Sequence, residues 1–79
     1  MDKMIRLRVS KELKKEHERK IISLKGSQIS GGYTDIIHIA DEDESHHINF
    51  FATDRKEEVH ELISMYIEQH SLAAIATLL

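Results

Sequence analysis

Residues 33–53, YTDIIHIADEDESHHINFFAT, decide the fold class, because two apolar runs flank a polar tip. The runs, residues 33–40 and 46–53, are rich in the Ile, Phe, Tyr and Thr that pleated strands favour, so they predict a hairpin. Pairing Ala40 with His46 predicts one face made of Ile36, His38, Ala40, His46, Ile48 and Phe50, and another made of Tyr33, Ile37, Ile39, Asn49 and Phe51. Both faces are partly apolar, so we expect cover on both sides, from the protein's own helices or from a second subunit.

The segment before the hairpin predicts a strand, a helix and a loop. Residues 3–9 alternate apolar and polar side chains, which is typical of a half-buried strand. Ser10 is placed to cap a helix over residues 11–25, and Gly26 is placed to end it. A strand over residues 18–24 is the competing interpretation. The Gly- and Ser-containing residues 26–32 predict a connecting loop.

The segment after the hairpin, residues 54–79, predicts a second helix. Its apolar stripe runs through Val59, Leu62, Ile63, Tyr66 and Ile67. From Leu72 onward the helix would be apolar around its whole circumference, so a second copy of the chain is expected to cover it. The predicted self-association residues are Leu72, Ile75, Leu78 and Leu79. The alternative is that this end folds back on its own sheet.

Together these segments predict one α+β domain over residues 1–79. Its element order is β-α-β-β-α, with two helices, a three-stranded, mainly antiparallel sheet, and the C-terminal helix used for self-association. A chain of 79 residues builds only a modest core. We therefore expect a symmetric homodimer, the commonest closed assembly.

Composition excludes several classes of protein. Apolar residues make up 41% and charged residues 32% of the chain, as in a globular protein. There is no cysteine, which excludes disulfide scaffolds, iron–sulfur centres, zinc ribbons and thiol catalysis. The sequence shows neither a signal peptide nor an apolar run long enough to span a membrane. We expect a cytoplasmic protein without a membrane partner.

Charge is distributed unevenly along the chain. Residues 1–25 hold nine of the 11 Lys and Arg residues, whereas residues 26–79 hold ten of the 14 Asp and Glu residues. The basic end is a candidate surface for a partner or for nucleic acid, since phosphates bind such cations; it comprises Arg6, Arg8, Lys11, Lys14, Lys15, Arg19 and Lys25. The acidic hairpin tip comprises Asp41, Glu42, Asp43 and Glu44.

The opening residues bear on the nucleic-acid interpretation. Residues 4–13, MIRLRVSKEL, resemble the start of ribbon-helix-helix repressors, in which a short strand precedes a helix. The resemblance covers about the first 25 residues. The chain then departs from that pattern, because a loop and a hairpin stand where the second helix of those repressors begins. The basic helix also lacks the Asn, Gln or aromatic side chains that would contact bases.

Histidines are the candidate metal ligands. None of the six lies at the i, i+4 spacing of a helical metal site. His38 and His46 could share one face of the hairpin, with Asp41 or Glu44 nearby, which makes them weak candidates. No serine lies in a nucleophile motif, so the sequence predicts neither an enzyme nor a cofactor.

These observations favour a small non-enzymatic protein-binding regulator, of an inhibitor or adaptor type from a bacterium or phage, acting as a homodimer. The alternative is a dimeric nucleic-acid-binding transcriptional regulator that uses the basic N-terminal surface. A third hypothesis is a histidine-dependent metal sensor.

Overall fold

The computed structural model describes residues 3–34 and 36–79. At Ile36 only the backbone is described, so the prediction of the sheet face on which its side chain lies falls outside the described residues. The elements are β1 (Met4–Ser10), α1 (Lys15–Ser30), β2 (Ile36–Asp41), β3 (His46–Ala52), α2 (Lys56–Gln69) and β4 (Ala76–Leu78). The predicted α+β class, with two helices and an antiparallel sheet, is confirmed. No helix in the described ranges is long and apolar enough to cross a membrane.

The sheet has four strands in the order β2-β3-β1-β4, and neighbouring strands run antiparallel. With the element order β-α-β-β-α-β, this is the split β-α-β, or ferredoxin-like, topology. The predicted three-stranded sheet is therefore wrong. The additional strand, β4, is only three residues long and too short to show an alternating pattern. It exists because Leu78 and Ala76 pair with Leu7 and Val9 of β1.

The core lies between the two helices and one face of the sheet. Ile5, Leu7 and Val9 alternate inward along β1, as predicted, and the pairing of Ile5 with Phe51 places Phe51 on the same face. Both helices contribute to this single cluster; their buried members are Ile21, Leu24, Val59, Ile63 and Ile67. Because both helices pack on this side, neither described helix covers the opposite face, which we call the open face.

The hairpin forms, but its predicted register is wrong. Ala40 pairs with Ile48, and His38 pairs with Phe50, so the strands are shifted by two residues from the pairing of Ala40 with His46. The cause is a tighter tip, in which the N–H groups of Glu42 and Asp43 both donate to the carbonyl of His46. A shift of two residues preserves the side of a side chain, so the predicted division into two faces holds for the described side chains of β2 and β3. Tyr33, which was predicted on one of these faces, lies before β2 begins.

Helix α1 starts and ends later than predicted. The Ser10 hydroxyl accepts the N–H of Glu12 in a local turn, and the helix begins at Lys15. It continues through Gly26 to Ser30, so most of the predicted loop 26–32 is helical. Continuing the helix buries the side chain of Gln28, one turn beyond Leu24. A glycine inside a helix costs about 1 kcal/mol relative to alanine, and tertiary packing overrides so small a preference.

The C-terminal end is not a helix that is apolar all round. Helix α2 ends at Gln69, and Ser71 adopts a positive φ of 56° that turns the chain back toward the sheet. Leu72 then enters the core and Ile75 packs against it, before β4 pairs with β1. The prediction of a long C-terminal helix is wrong, and the alternative, folding back onto the chain's own sheet, is what the structure shows.

Candidate functional site

Strand β2 is an edge strand with an apolar side chain exposed beside it. It pairs with β3 on one side, and its other side has no strand within the described part of the chain. The opposite edge, β4, is half as long. On β2, Ile39 is 51% exposed, and on the adjoining helix Ile22 is 58% exposed. A six-residue strand with free backbone groups and apolar neighbours is a template for pairing with another chain.

A cleft lies behind β2, between α1 and the covered face of the sheet. Its volume is about 280 Å³. Its apolar lining consists of Val9, Leu13, Ile21, Ile22 and Ile39, and its polar lining of Ser10, Lys11, Glu18, Lys25, His47 and Asn49. Helix α1 thus leaves a gap along β2 that its own side chains do not fill.

Asn49 is the most buried polar residue of this cleft. It is 2% exposed, and its Oδ1 atom has no hydrogen-bond partner among residues 3–34 and 36–79. Buried polar atoms are almost always hydrogen-bonded, since a lost bond costs about 1–3 kcal/mol. At the mouth of the cleft, burial lowers the pKa of the Lys25 ammonium below its ordinary value. The residues that line the cleft therefore include a buried amide and a partly desolvated cation.

The open face carries an arginine, a phenylalanine and a histidine side by side. The Arg6 guanidinium carbon lies 6.0 Å from the centroid of the Phe50 ring. On the other side, the centroids of the His38 and Phe50 rings are 6.2 Å apart. The three residues come from β1, β3 and β2, so the row crosses three strands. Sequence analysis placed Phe50 and His38 on one face but did not bring Arg6 beside them.

An ion pair crosses the same face one row away. Arg8 donates two hydrogen bonds to the carboxylate of Glu42, with distances of 2.7 and 3.0 Å. Arg8 lies on β1 and Glu42 follows β2, so the pair spans β3, where Ile48 is 7% exposed although no helix covers it. The ion pair therefore engages Arg8 within the protein.

The structure divides the predicted basic surface between two layers. Arg6 and Arg8 point to the open face, opposite the inward side chains of β1. Lys14, Lys15 and Arg19 are exposed at or on α1, which packs on the other side of the sheet. Lys11 forms an ion pair with Asp41, with 3.2 Å between Nζ and Oδ1. The predicted residues therefore do not form one continuous stripe along a strand and a helix.

Residues of the acidic tip form ion pairs with nearby side chains. His38 lies against Phe50, away from the tip, and is not brought together with His46. Within the described residues, one group has ligand atoms close enough for a metal ion, and it comprises Glu42, Asp43 and His46. Its geometry is explained by bonds inside the tip. Asp43 accepts the Ser45 N–H at 2.7 Å and lies 3.2 Å from His46, and the Ser45 bond is the main reason that the pKa of Asp43 is lowered.

The predicted self-association residues are divided by burial. Leu72 and Ile75 pack in or against the core, as does Leu78, whereas Leu79 is 54% exposed. Three of the four therefore already contact the protein's own core. Asn49 was absent from the predicted site residues, although its place on the inward side of β3, between His47 and Phe51, was the available signal.

Comparison with known proteins does not assign this geometry. The chain matches no protein-family model, no curated protein and no solved structure. Its function therefore has to be argued from the edge strand, the cleft and the open face themselves.

Proposed function

We propose that this protein is a small non-enzymatic protein-binding regulator, of inhibitor or adaptor type, that acts as a homodimer joined through β2. The observation that carries the proposal is the free six-residue edge beside exposed Ile39 and Ile22. Natural edge strands are usually protected by lysine, proline or a bulge. Strand β2 has no lysine or proline, and its single acidic residue is at its end, Asp41.

A second copy of the chain fits this edge by register. In an antiparallel pairing centred on His38, Ile37 of each copy lies opposite Ile39 of the other, on the face that also carries Phe51. Opposed apolar pairs stabilise strands. The two sheets would join into one sheet of eight strands around a twofold axis, as an isologous interface requires.

The interface therefore moves away from the C-terminal end, where the sequence predicted it. Leu72 is needed by the core, and β4 already pairs with β1, so those residues have little free surface to offer. We retain a cytoplasmic location as part of the proposal. A chain without cysteine does not depend on disulfide formation in an oxidising compartment.

Light scattering after size exclusion tests the assembly directly. The wild-type chain is expected at twice 9.2 kDa. Ile39→Lys should shift it to the mass of a single copy, because a lysine at the edge opposes strand pairing. Met65→Lys is the matched control, since Met65 is 47% exposed on α2, and it should leave the dimer intact. A wild type that stays at single mass at high concentration, or equal effects of the two variants, would contradict the proposal.

The open face favours a second candidate function, the binding of single-stranded nucleic acid by a dimeric transcriptional regulator. Aromatic and arginine side chains on an open four-stranded sheet provide stacking surfaces for bases, and Arg6, Phe50 and His38 form such a row. The row lies on the open face, whereas the basic helix α1 packs on the opposite face of the sheet. The two surfaces can therefore be tested separately.

Fluorescence anisotropy with a labelled oligouridylate at low salt tests this candidate. His38→Ala should weaken binding, whereas His60→Ala, an exposed histidine on α2, should not. If only the double variant Lys14→Glu, Arg19→Glu loses binding, the interaction belongs to helix α1 instead. Absence of binding at low salt would remove the nucleic-acid candidate.

A further inference from the structure

His38 lies near the middle of the β2 edge, on the open face of the sheet. Its side chain is exposed, and it pairs with Phe50 of β3, with 6.2 Å between the centroids of the two rings. The helices pack on the other face, and the side of β2 away from β3 has no strand within the described part of the chain. The His38 imidazole therefore stands beside the backbone edge through which we expect two copies of the chain to join.

The register proposed for the dimer brings the two copies of His38 together. When two identical strands pair antiparallel around a twofold axis, the residue at the centre lies opposite itself. In the register that sets Ile37 of each copy against Ile39 of the other, the central residue is His38. Directly opposed residues of an antiparallel pair have Cβ atoms about 4.5–5.5 Å apart. Two imidazoles therefore meet at the axis, on the open face.

We propose that protonation of His38 opposes the β2 dimer, so that the two copies separate as the pH falls below about 6.5, where an imidazole ordinarily gains its proton. Two neutral imidazoles pack at the axis without repulsion. Two imidazoliums set like charges directly opposite each other, which destabilises a strand pair. This inference rests on the proposed dimer and adds the condition under which that dimer dissociates.

The groups around His38 do not offset its charge. Among the described residues it forms no ion pair, and Phe50 separates it from Arg6, which is a second cation. At the tip beyond β2, the Glu42 carboxylate already accepts two hydrogen bonds from Arg8. The diagonal neighbours of His38 on β3 are uncharged; they are Ile48 and Ala52. An imidazolium at this position therefore faces its copy across the axis without a carboxylate to neutralise it.

The histidines of the hairpin tip act with the opposite sign. The Nδ1 atom of His47 lies 3.6 Å from Asp41 Oδ1, and that of His46 lies 3.2 Å from Asp43 Oδ1. Protonation of these rings strengthens both ion pairs, because the carboxylates keep their charge down to about pH 4. Charging the tip histidines therefore holds the hairpin together and does not account for a dimer that weakens in mild acid.

Sedimentation equilibrium of the full chain at about pH 8 and about pH 5.5, on either side of the histidine titration, tests the inference. We expect the Kd of the dimer to rise roughly three- to fivefold at the lower pH, as one pair of opposed like charges predicts when most imidazoles are protonated. His38→Phe keeps an aromatic ring beside Phe50 without a titration, so its Kd should be the same at both pH values.

Two further variants check the role of the charge at the axis. His38→Lys carries its charge at both pH values, so it should raise the Kd at both and remove the difference between them. His60→Phe is the matched control, because His60 is an exposed histidine on α2, and it should keep the wild-type ratio of the two Kd values. Circular dichroism at both pH values shows whether the separated copies stay folded.

The outcomes separate the inference from the dimer on which it rests. A wild-type dimer with the same Kd at both pH values, or a His38→Phe variant that keeps the wild-type ratio, would overturn the inference and leave the dimer standing. Helical signal lost at the lower pH would also overturn it, because unfolding would then cause the separation. A wild-type chain with the mass of one copy at both pH values would overturn the dimer and the inference together.

Discussion

Replacing Leu72 with alanine should destabilise the protein strongly, because Leu72 is 0% exposed and belongs to the core cluster. Deleting a buried leucine side chain down to alanine costs about 2–5 kcal/mol, through lost burial and the cavity that remains. A domain of 79 residues has an unfolding free energy of roughly 4–12 kcal/mol at 0.05–0.15 kcal/mol per residue. The substitution therefore removes a large part of the total stability.

Urea denaturation at a single protein concentration measures this effect. With a slope of about 1 kcal/mol per M, at the lower end for small proteins, the midpoint should fall by roughly 2–5 M or the variant should be unfolded in water. Leu79→Ala is the matched control in the same segment. Leu79 is 54% exposed, and its replacement should change the free energy of unfolding by no more than about 0.5 kcal/mol.

The two leucines distinguish core packing from self-association at the C-terminal end. If the segment were an association helix, Leu79→Ala would lower the dimer fraction. Leu72→Ala would then also destabilise the protein by lowering the dimer fraction, and not by leaving a cavity in the core. A Leu72→Ala midpoint within about 0.5 M of the wild type would refute the packing argument, since that shift corresponds to a side chain on the surface.

The remaining predictions concern α1, its contact with α2, and the hairpin tip. Gly26→Ala should stabilise the protein by about 0.5–1 kcal/mol in urea denaturation, because Gly26 lies inside α1 and an added Cβ would meet nothing within 4 Å; destabilisation would contradict a helix continuing to Ser30. Gly32→Ala should cost about 1–2 kcal/mol in the same assay, because its φ of 73° disfavours other residues, and no cost would contradict that backbone. Tyr66→Phe should lower the free energy of unfolding by about 1 kcal/mol, since it removes the hydroxyl that donates to the Lys20 carbonyl at 2.8 Å; an unchanged midpoint would argue against this bond. The pKa of Asp43 is lowered mainly by the Ser45 N–H, so its contribution to stability is present above the unfolded value of about 3.9 and is lost as pH falls through the lower folded value. Carboxyl-carbon NMR titration should show that lowered pKa, and Asp43→Asn should remove this part of the pH dependence; a titration at the ordinary value would contradict it.

Local periodicity was sufficient to predict the elements whose apolar side chains recur at a regular spacing over several residues. The alternation of Ile5, Leu7 and Val9 predicted the inward side of β1. The predicted stripe of α2 includes its three buried residues, Val59, Ile63 and Ile67, together with the half-buried Leu62 and Tyr66. In the hairpin, the same alternation separated Phe50 from Phe51 correctly despite the wrong register. A side chain's face follows from its own position in the repeat, which the sequence contains.

The candidate site was only partly accessible in this way. The sequence placed Ile39 and Asn49 on one face of the hairpin, yet it could not show that α1 leaves a cleft over them. It also included Arg6 in the basic surface but did not indicate which side chain of another strand would lie beside it. The approach of Arg6 to Phe50 depends on β1 pairing with β3, which are separated by a helix and another strand.

By itself, the sequence determined the α+β class, two amphipathic helices, the hairpin and the faces of its strands, because each follows from side-chain spacing within one segment. The tertiary structure decided the hairpin register, the end of α1 beyond Gly26, the pairing of β4 with β1 and the burial of Leu72. Those features depend on contacts between segments distant in the chain. Their energies outweigh a helix-ending glycine or a short apolar run, whose local preferences are worth about 1 kcal/mol.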